Sequence, residues 1–366
     1  MKKAWMTAAL LAAVLVAVPA LSGCGGTDPS TAINNAIQNQ KNIKSEHADV
    51  NMTVNVQGDL SALGAQYKDL LPLSVTIKAS ADADNTDPNN PKAQGNFSVT
   101  GLDKVSTLMD SNTAALIGAL ASIDFVVVDQ HLYAKINGTW YDAGGAQSLG
   151  GLAGGMTTGI TDTSTSGNAS CFQNALSDTS KFGASQILSN IQDVGSESIA
   201  GQNSRHFTAD INTNNIITQL ANTARDCGQP EAAGGLDAAK SQIAGLFKSL
   251  KADIWVGDDN NLTQVKLHME LNPQMLASLA SGLGGSAAGS EAQALTGLSM
   301  DLTVTQSQFN QSFAITKPSG TIVPIDQLPL LGQLGVGSML GGDTSGLGGL
   351  GGLGGDTGIN VPSGSL

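Results

Sequence analysis

Charge is scarce in this chain of 366 residues, with Asp, Glu, Lys and Arg making up only 13 %. Basic charge is scarcer still: 17 Lys and Arg stand against 30 Asp and Glu, for a formal net charge of -13. A body so poor in cations is a bad partner for nucleic acid and gains nothing from anionic lipid headgroups. Aromatic residues are 4 % of the chain, which argues against a site for flat ring ligands. Signatures of catalysis are missing too. The sequence contains no Gly-x-Ser-x-Gly elbow, no His-Glu-x-x-His pair and no phosphate loop with its lysine. The four histidines, His47, His131, His206 and His268, are spread over different expected strands or strand edges, largely on polar faces. Surface positions account for them better than a shared acid-base or metal role. Two acidic runs, "DADNTD" (Asp82, Asp84, Asp87) and "DDNN" (Asp258, Asp259, Asn260, Asn261), lack the sixth-position glycine and the distal glutamate of a calcium loop. Both sit where a hairpin must turn, so short polar side chains satisfying backbone amides explain them. No metal, cofactor or covalent chemistry is expected.

Cysteine is rare, with three residues, and the first is the most telling. Lys2 and Lys3 are followed by an apolar run from about Ala8 to Leu21 and then by "LSGCGG". A positive head, a greasy middle and a small-residue exit make residues 1-23 a secretory signal. Leu21-Ser22-Gly23-Cys24 resembles the bacterial lipobox, in which the cysteine sulfur is acylated and the chain is cut just before it. The alternative is an uncleaved transmembrane anchor, since the run is almost long enough to span a bilayer. On the lipobox reading Cys24 carries the acyl chains and residues 24-29 are a flexible tether. More than one chain gives stable anchoring, at ~0.8 kcal/mol per buried methylene. Losing Lys2 and Lys3 takes the net charge from -13 to -15, so attachment to the extracytoplasmic face of the cell membrane rests on lipid alone. Cys171 and Cys227 remain, an even pair in polar segments of an exported protein, and are expected to form a disulfide.

Apolar content of 41 % permits a sizeable core, although 45 glycines leave much of the length to loops. A short amphipathic helix is expected in "STAINNAIQNQKNI" behind a Ser30 N-cap. Strict alternation then marks "HADVNMTVNVQ", "LSVTIKASA" and "QGNFSVTG" as strands with one wet and one dry face. "IDFVVVDQHLYAKINGTWYDAG" reads as three strands with turns at Asp129-Gln130 and Asn137-Gly138. Helical spacing is expected in "SKFGASQILSNIQDV", followed by strands "GSESIA" and "SRHFTADI", then helices in "NTNNIITQLANTA" and "LDAAKSQIAGLFKSLK". "ADIWVGDDNNLTQVKLHMEL" and "MDLTVTQSQFNQSFAIT" read as hairpins, with a short helix near "NPQMLASLA" between them. Polar insertions are expected near 144-170 and 225-235, and residues 319-366, which contain "GLGGLGGLGGDTG", as a disordered Pro/Gly-rich tail. Trp140 and Trp255 are expected to pack in the core or at its rim.

The motifs "FVVVDQHLYAKINGTWYDAG", "SESIAGQNSRHFTADI", "IWVGDDNNLTQVKLHMEL" and the closing "ITKP" resemble those of the actinobacterial LppX/LprA/LprF/LprG lipoprotein family. The likeness covers residues 30-318 in patches, and none of these motifs is catalytic. It implies an α+β fold in which a single strongly curved antiparallel sheet, a half-barrel of about ten strands, has helices covering its concave face. It also implies an apolar cavity that takes acylated lipid or glycolipid, for transfer within the cell envelope with possible envelope transport partners. The longer insertions and tail are departures from that family's pattern. From the alternation itself, Val50, Met52, Val54, Val75, Ile77, Phe97, Val99, Ile254, Val256, Val265, Leu267 and Met269 are the candidate lipid-facing residues. The same residues also suit a fully packed core, in which case the protein is an envelope interaction or sensor protein.

Overall fold

A computed structural model describes residues 28-61, 68-107, 114-115, 118-119, 121-145, 171, 182-275 and 294-327. The signal segment, Cys24, most of the 144-170 insertion, the "NPQMLASLA" helix beyond Met275 and the tail beyond Gln327 lie outside these residues.

The fold is α+β and is built on one large, curved, mostly antiparallel sheet of 12 strands. Twelve replaces the expected ten. The first half of the chain supplies β1 (Ser45–Gly58), β2 (Leu73–Asp84), β3 (Lys92–Thr100), β4 (Ser122–Val128), β5 (His131–Ile136) and β6 (Thr139–Gly145). The second half supplies β7 (Leu188–Ile199), β8 (Gln202–Ile211), β9 (Phe247–Gly257), β10 (Leu262–Leu271), β11 (Leu295–Ser307) and β12 (Ile322–Pro324). Strands β1 to β6 form one meander and β7 to β11 a second, with β12 added beside β6. Their order, β12-β6-β5-β4-β3-β2-β1-β11-β10-β9-β8-β7, shows that the halves are joined by pairing the first strand to the eleventh. Among the described residues the sheet does not close, and β7 and β12 are its edges.

Turn chemistry fixes the hairpins. Asp129, Gln130 and Asn137 adopt φ of 51, 63 and 50°, and Gly138 adopts 82°, the left-handed pairs that match the twist of two-residue hairpin turns. Asp84 and Asp87 accept hydrogen bonds from the amides of Thr86 and Asn89, both at 2.9 Å, so the acidic run works as turn chemistry. Asp259 does the same for the Asn261 amide at 3.1 Å.

Helix α1 (Pro29–Asn39) starts two residues earlier than a Ser30 cap implies. Asp28 is the N-cap, accepting from the Thr31 amide at 3.3 Å and bonded to the Ser30 hydroxyl, with Pro29 at the first helical position. Its face of Ala32, Ile33, Ala36 and Ile37 is buried against Phe207, Ala209 and Ile211 of β8 and Ala252, Ile254 and Val256 of β9. Helix α2 (Asp103–Ser106) is a single turn after β3. Helices α4 (Thr213–Asp226) and α5 (Pro230–Gly245) form a hairpin whose small core is Ala221, Ala224 and Ala233. They occupy the stretch expected as a polar insertion near 225-235. Cys227 caps α4, and its sulfur is bonded to that of Cys171, with Cα atoms 5.6 Å apart.

Three further expectations are corrected. The helix expected from Ser180 to Val194 is one turn, α3 (Ala184–Ile187), followed directly by edge strand β7. The helix expected through Lys251 ends at Gly245, and β9 begins two residues later. The closing hairpin does not form. β11 lies between β1 and β10, so it has no free edge for a returning strand. The chain instead docks its turn on the start of β1: the Asn310 amide donates to the Ser45 carbonyl, and the Lys44 amide to Asn310 Oδ1. It then runs without regular structure past Phe313 and Ile315, which pack on Val126, Val128 and Tyr133. It ends in β12, parallel to β6, within the stretch expected to be tail.

Candidate functional site

Antiparallel pairing places directly opposite residues on the same face. Following the register across the sheet gives one apolar row Val99, Ile77, Met52, Leu302, Leu267, Ala252, Ala209. A second row runs Ile123, Phe97, Ala79, Val50, Val304, Val265, Ile254, Phe207. A third holds Val75, Val54, Met300, Met269 and Leu250, and a fourth Leu73, Val56, Leu298, Leu271 and Phe247. With about 4.8 Å between strands and ~3.4 Å per residue, the four rows cover roughly 20 by 30 Å. All twelve residues picked out by alternation lie on this face. Val256 sits one pleat beyond the second row, opposite Leu262 and Arg205.

Burial divides the face into a packed end and a central strip. Over β8 and β9, Phe207 and Ile254 are buried beneath α1, with Phe207 at 0 % exposure. At the other end, Ile123 packs with Ile136, Tyr141 and Val323. Between them Val50, Met52, Val54, Val75, Ile77, Phe97, Val99, Val265 and Met269 are only half-buried and belong to no buried cluster among the described residues. Leu267 is also half-buried but touches the packed end. The strands of β11 contribute Leu298, Met300 and Val304 to the same strip; their alternation in "LSMDLTVT" was the available signal, yet the candidate set omitted them.

The strip has a polar feature at each end. Glu46 continues the apolar side of β1, where the Gln306 amide donates to it at 2.8 Å and the Gln40 amide donates in turn to Gln306 Oε1 at 3.4 Å. Burial pushes the Glu46 carboxyl up, against the Gln306 hydrogen bond. At the opposite end lies an open cleft of about 440 Å³ with a mixed lining: Ile211, Ala244, Phe247 and Leu250 are apolar, while Ser189, Asp210, Asn212, Thr213, Asn214, Lys248, Ser249 and Lys251 are polar. Leu250 belongs at once to the third row and to the wall of this cleft.

Apart from the cluster of Val126, Val128, Tyr133 and Ile315, the other side of the sheet is mainly polar, and it carries the histidines, each beside carboxylates. His47 Nδ1 lies 2.7 Å from Asp82 and His268 Nδ1 2.6 Å from Asp301, while His206 Nε2 lies 2.9 Å from Asp253 and His131 Nδ1 3.2 Å from Asp142. The hydrogen bond to Asp301 raises His268. Burial alone pulls His47 down, but Asp82 and Asp49 outweigh it and leave it raised. Trp255 is buried on this side, stacked on His206 at 4.1 Å with its indole N–H donating to Glu197 at 2.6 Å. Among the described residues no group of three His, Cys, Asp or Glu is arranged to hold a metal ion, and no helix is long and apolar enough to cross a membrane.

No protein-family model and no curated protein matches this chain. Among solved structures it is similar to the lipoprotein LppX of Mycobacterium tuberculosis, at 16 % identity over 79 % of this chain and 98 % of that one, with a TM-score of 0.35. It is similar to LprF from Mycobacterium bovis, at 18 % identity over 80 % and 97 % of the two chains, with a TM-score of 0.36. A putative outer membrane lipoprotein-sorting protein domain from Vibrio parahaemolyticus is a more distant likeness, at 7 % identity over 73 % and 86 %, with a TM-score of 0.17.

Proposed function

We propose that this chain is an extracytoplasmic lipoprotein, anchored through acyl chains on Cys24, that binds an acylated lipid or glycolipid on the apolar face of its sheet for transfer within the cell envelope. The observation that carries this reading is the central strip: nine apolar residues of the candidate set that stay half-buried between two packed ends. A face this wide, most of which joins no packed cluster among the described residues, is costly in water, at ~25 cal/mol per Å² of apolar surface. Hydrocarbon laid along it removes that cost, with ~0.8 kcal/mol for each methylene buried. Val, Leu and Met predominate in the lining, which yields to alkyl chains better than to rigid rings. The lipobox and the strand motifs shared with the LppX/LprA/LprF/LprG family point the same way. In this reading α1 covers one end of the face and leaves the centre to the ligand, a partial version of the helical cover expected from the sequence. Binding requires no bond to be made or broken.

Methyl-labelled NMR of the full chain titrated with a saturated alkyl ligand tests the proposal. Shifts confined to Met52, Val54, Val75, Ile77 and Met300 support it. Shifts absent from these methyls mean that the face is closed by protein, and the interaction or sensor reading takes its place.

A further inference from the structure

The described chain ends beside the strip, on the strip's own side of the sheet. Strand β12 carries the backbone from one side to the other. Ile322 packs on the cluster of Val126, Val128 and Tyr133, on the mainly polar side. Val323 and Ile325 instead pack with Ile123 on the cluster of Ile136 and Tyr141. Ile123 belongs to the second apolar row, directly opposite Phe97. Ile325 is the last residue of the chain in a packed cluster among the described residues, and the described chain stops at Gln327. Its exit thus lies at the end of the apolar face away from α1.

The sequence that follows suits that place. Positions 327-342, "QLPLLGQLGVGSMLGG", contain no charged residue, and Leu, Val and Met fill seven of the thirteen positions 328-340. Such a stretch gains by leaving water, and the half-buried residues Phe97, Val99, Ile77 and Met52 are the first apolar surface it meets. Length is sufficient. Thirteen extended residues reach at most about 43 to 47 Å, whereas crossing from β4 to β10 takes five strand spacings of about 4.8 Å, or ~24 Å.

Resting on the lipid-binding reading above, we infer that residues 328-340 fold back onto the central strip and are displaced when lipid binds, so that the chain carries its own competitor. Tethered beside its target, the segment acts at an effective concentration on the order of 1 mM. An intrinsic affinity of only ~100 μM then fills the strip about 90 % of the time and weakens a competing lipid roughly tenfold. Helix α1 and this segment together close the face from its two ends, the first permanently and the second exchangeably.

Methyl-labelled NMR and calorimetry with myristate test the inference on three full chains. These are the wild type, the variant Leu330→Gln/Leu331→Gln/Leu334→Gln, and a matched control beyond Asp343, Leu347→Gln/Leu350→Gln/Leu353→Gln. All the substitutions lie past Ile325 and so outside the packed clusters described. Without ligand, the methyls of Met52, Ile77 and Val99 are expected to shift in the first variant and not in the control. The first variant is also expected to bind myristate roughly 10-fold more tightly than the other two chains. Unshifted strip methyls, or shifts with unchanged myristate affinity, overturn the inference; lipid binding then stands or falls on whether the wild type takes up myristate. Equal effects in the control overturn the assignment to residues 328-340. Strip shifts that follow the concentration of the wild-type protein put a second copy on the face and overturn it as well. Strip methyls that shift in the first variant while no chain binds myristate leave the segment in its seat and refute the lipid reading alone.

Discussion

A carboxylate placed in the middle of the strip separates a ligand-binding face from an idle one. Met52 is half-buried on β1, directly between Ile77 and Leu302 in the first apolar row. Met52→Glu puts a charge where the account lays hydrocarbon. An alkyl chain crossing that strand loses apolar contact over roughly three methylenes, about 2.4 kcal/mol at ~0.8 kcal/mol each, or roughly 60-fold in affinity. Desolvating the new carboxylate beneath a bound chain adds to the loss. The free protein suffers much less, because a half-buried position lets the side chain reach water. The control is one residue away: Asn51 is exposed on the polar side, opposite Lys78 and Thr303. Displacement of a fluorescent fatty acid, with thermal unfolding run alongside, reads both effects. Equal affinities for Met52→Glu, Asn51→Glu and the wild type refute the argument outright.

Other outcomes follow from the same geometry. Phe207→Ala opens a cavity in the packed end and costs about 3 to 5 kcal/mol by urea unfolding, whereas Ile77→Ala on the strip costs roughly 1 kcal/mol or less in the ligand-free chain; similar costs would mean the strip is packed like the rest. Because Asp301 holds His268 above its ordinary value, the pair's stabilisation is full below about pH 6.5 and is lost as pH rises through the raised folded value. The urea midpoint therefore falls across that window, and His268→Asn flattens the decline; an unchanged slope contradicts the assignment. Replacing Cys171 and Cys227 by serine frees a closed loop with a sequence separation of 56, worth up to about 4 kcal/mol by chain entropy, and protease cutting near the end of α4 reports the loss.

Much of this was readable from residues because most strands have one dry side. Alternation in β1, β2, β3, β9 and β10 put the twelve candidate residues together on one face of the sheet, and the Asp129-Gln130 and Asn137-Gly138 turns set the meander's register. Strand β7 was misread for a physical reason. Asn190 at φ 52° and Gly195 at φ 120° accompany register shifts, which break the period of two and leave Ile187, Leu188 and Ile191 at helix-like spacing. The same irregularities guard an edge strand from pairing with another chain. Tertiary placement was invisible: nothing in "MDLTVTQSQFNQSFAIT" reveals that both neighbours of its first arm are already taken.

Native mass spectrometry of the full chain, released from detergent, tests lipid binding most directly. The account predicts a population heavier than the chain and its covalent anchor by the mass of one lipid, which is shed on mild activation and lost in Met52→Glu. A single lipid-free species that no added alkyl ligand can load would contradict it.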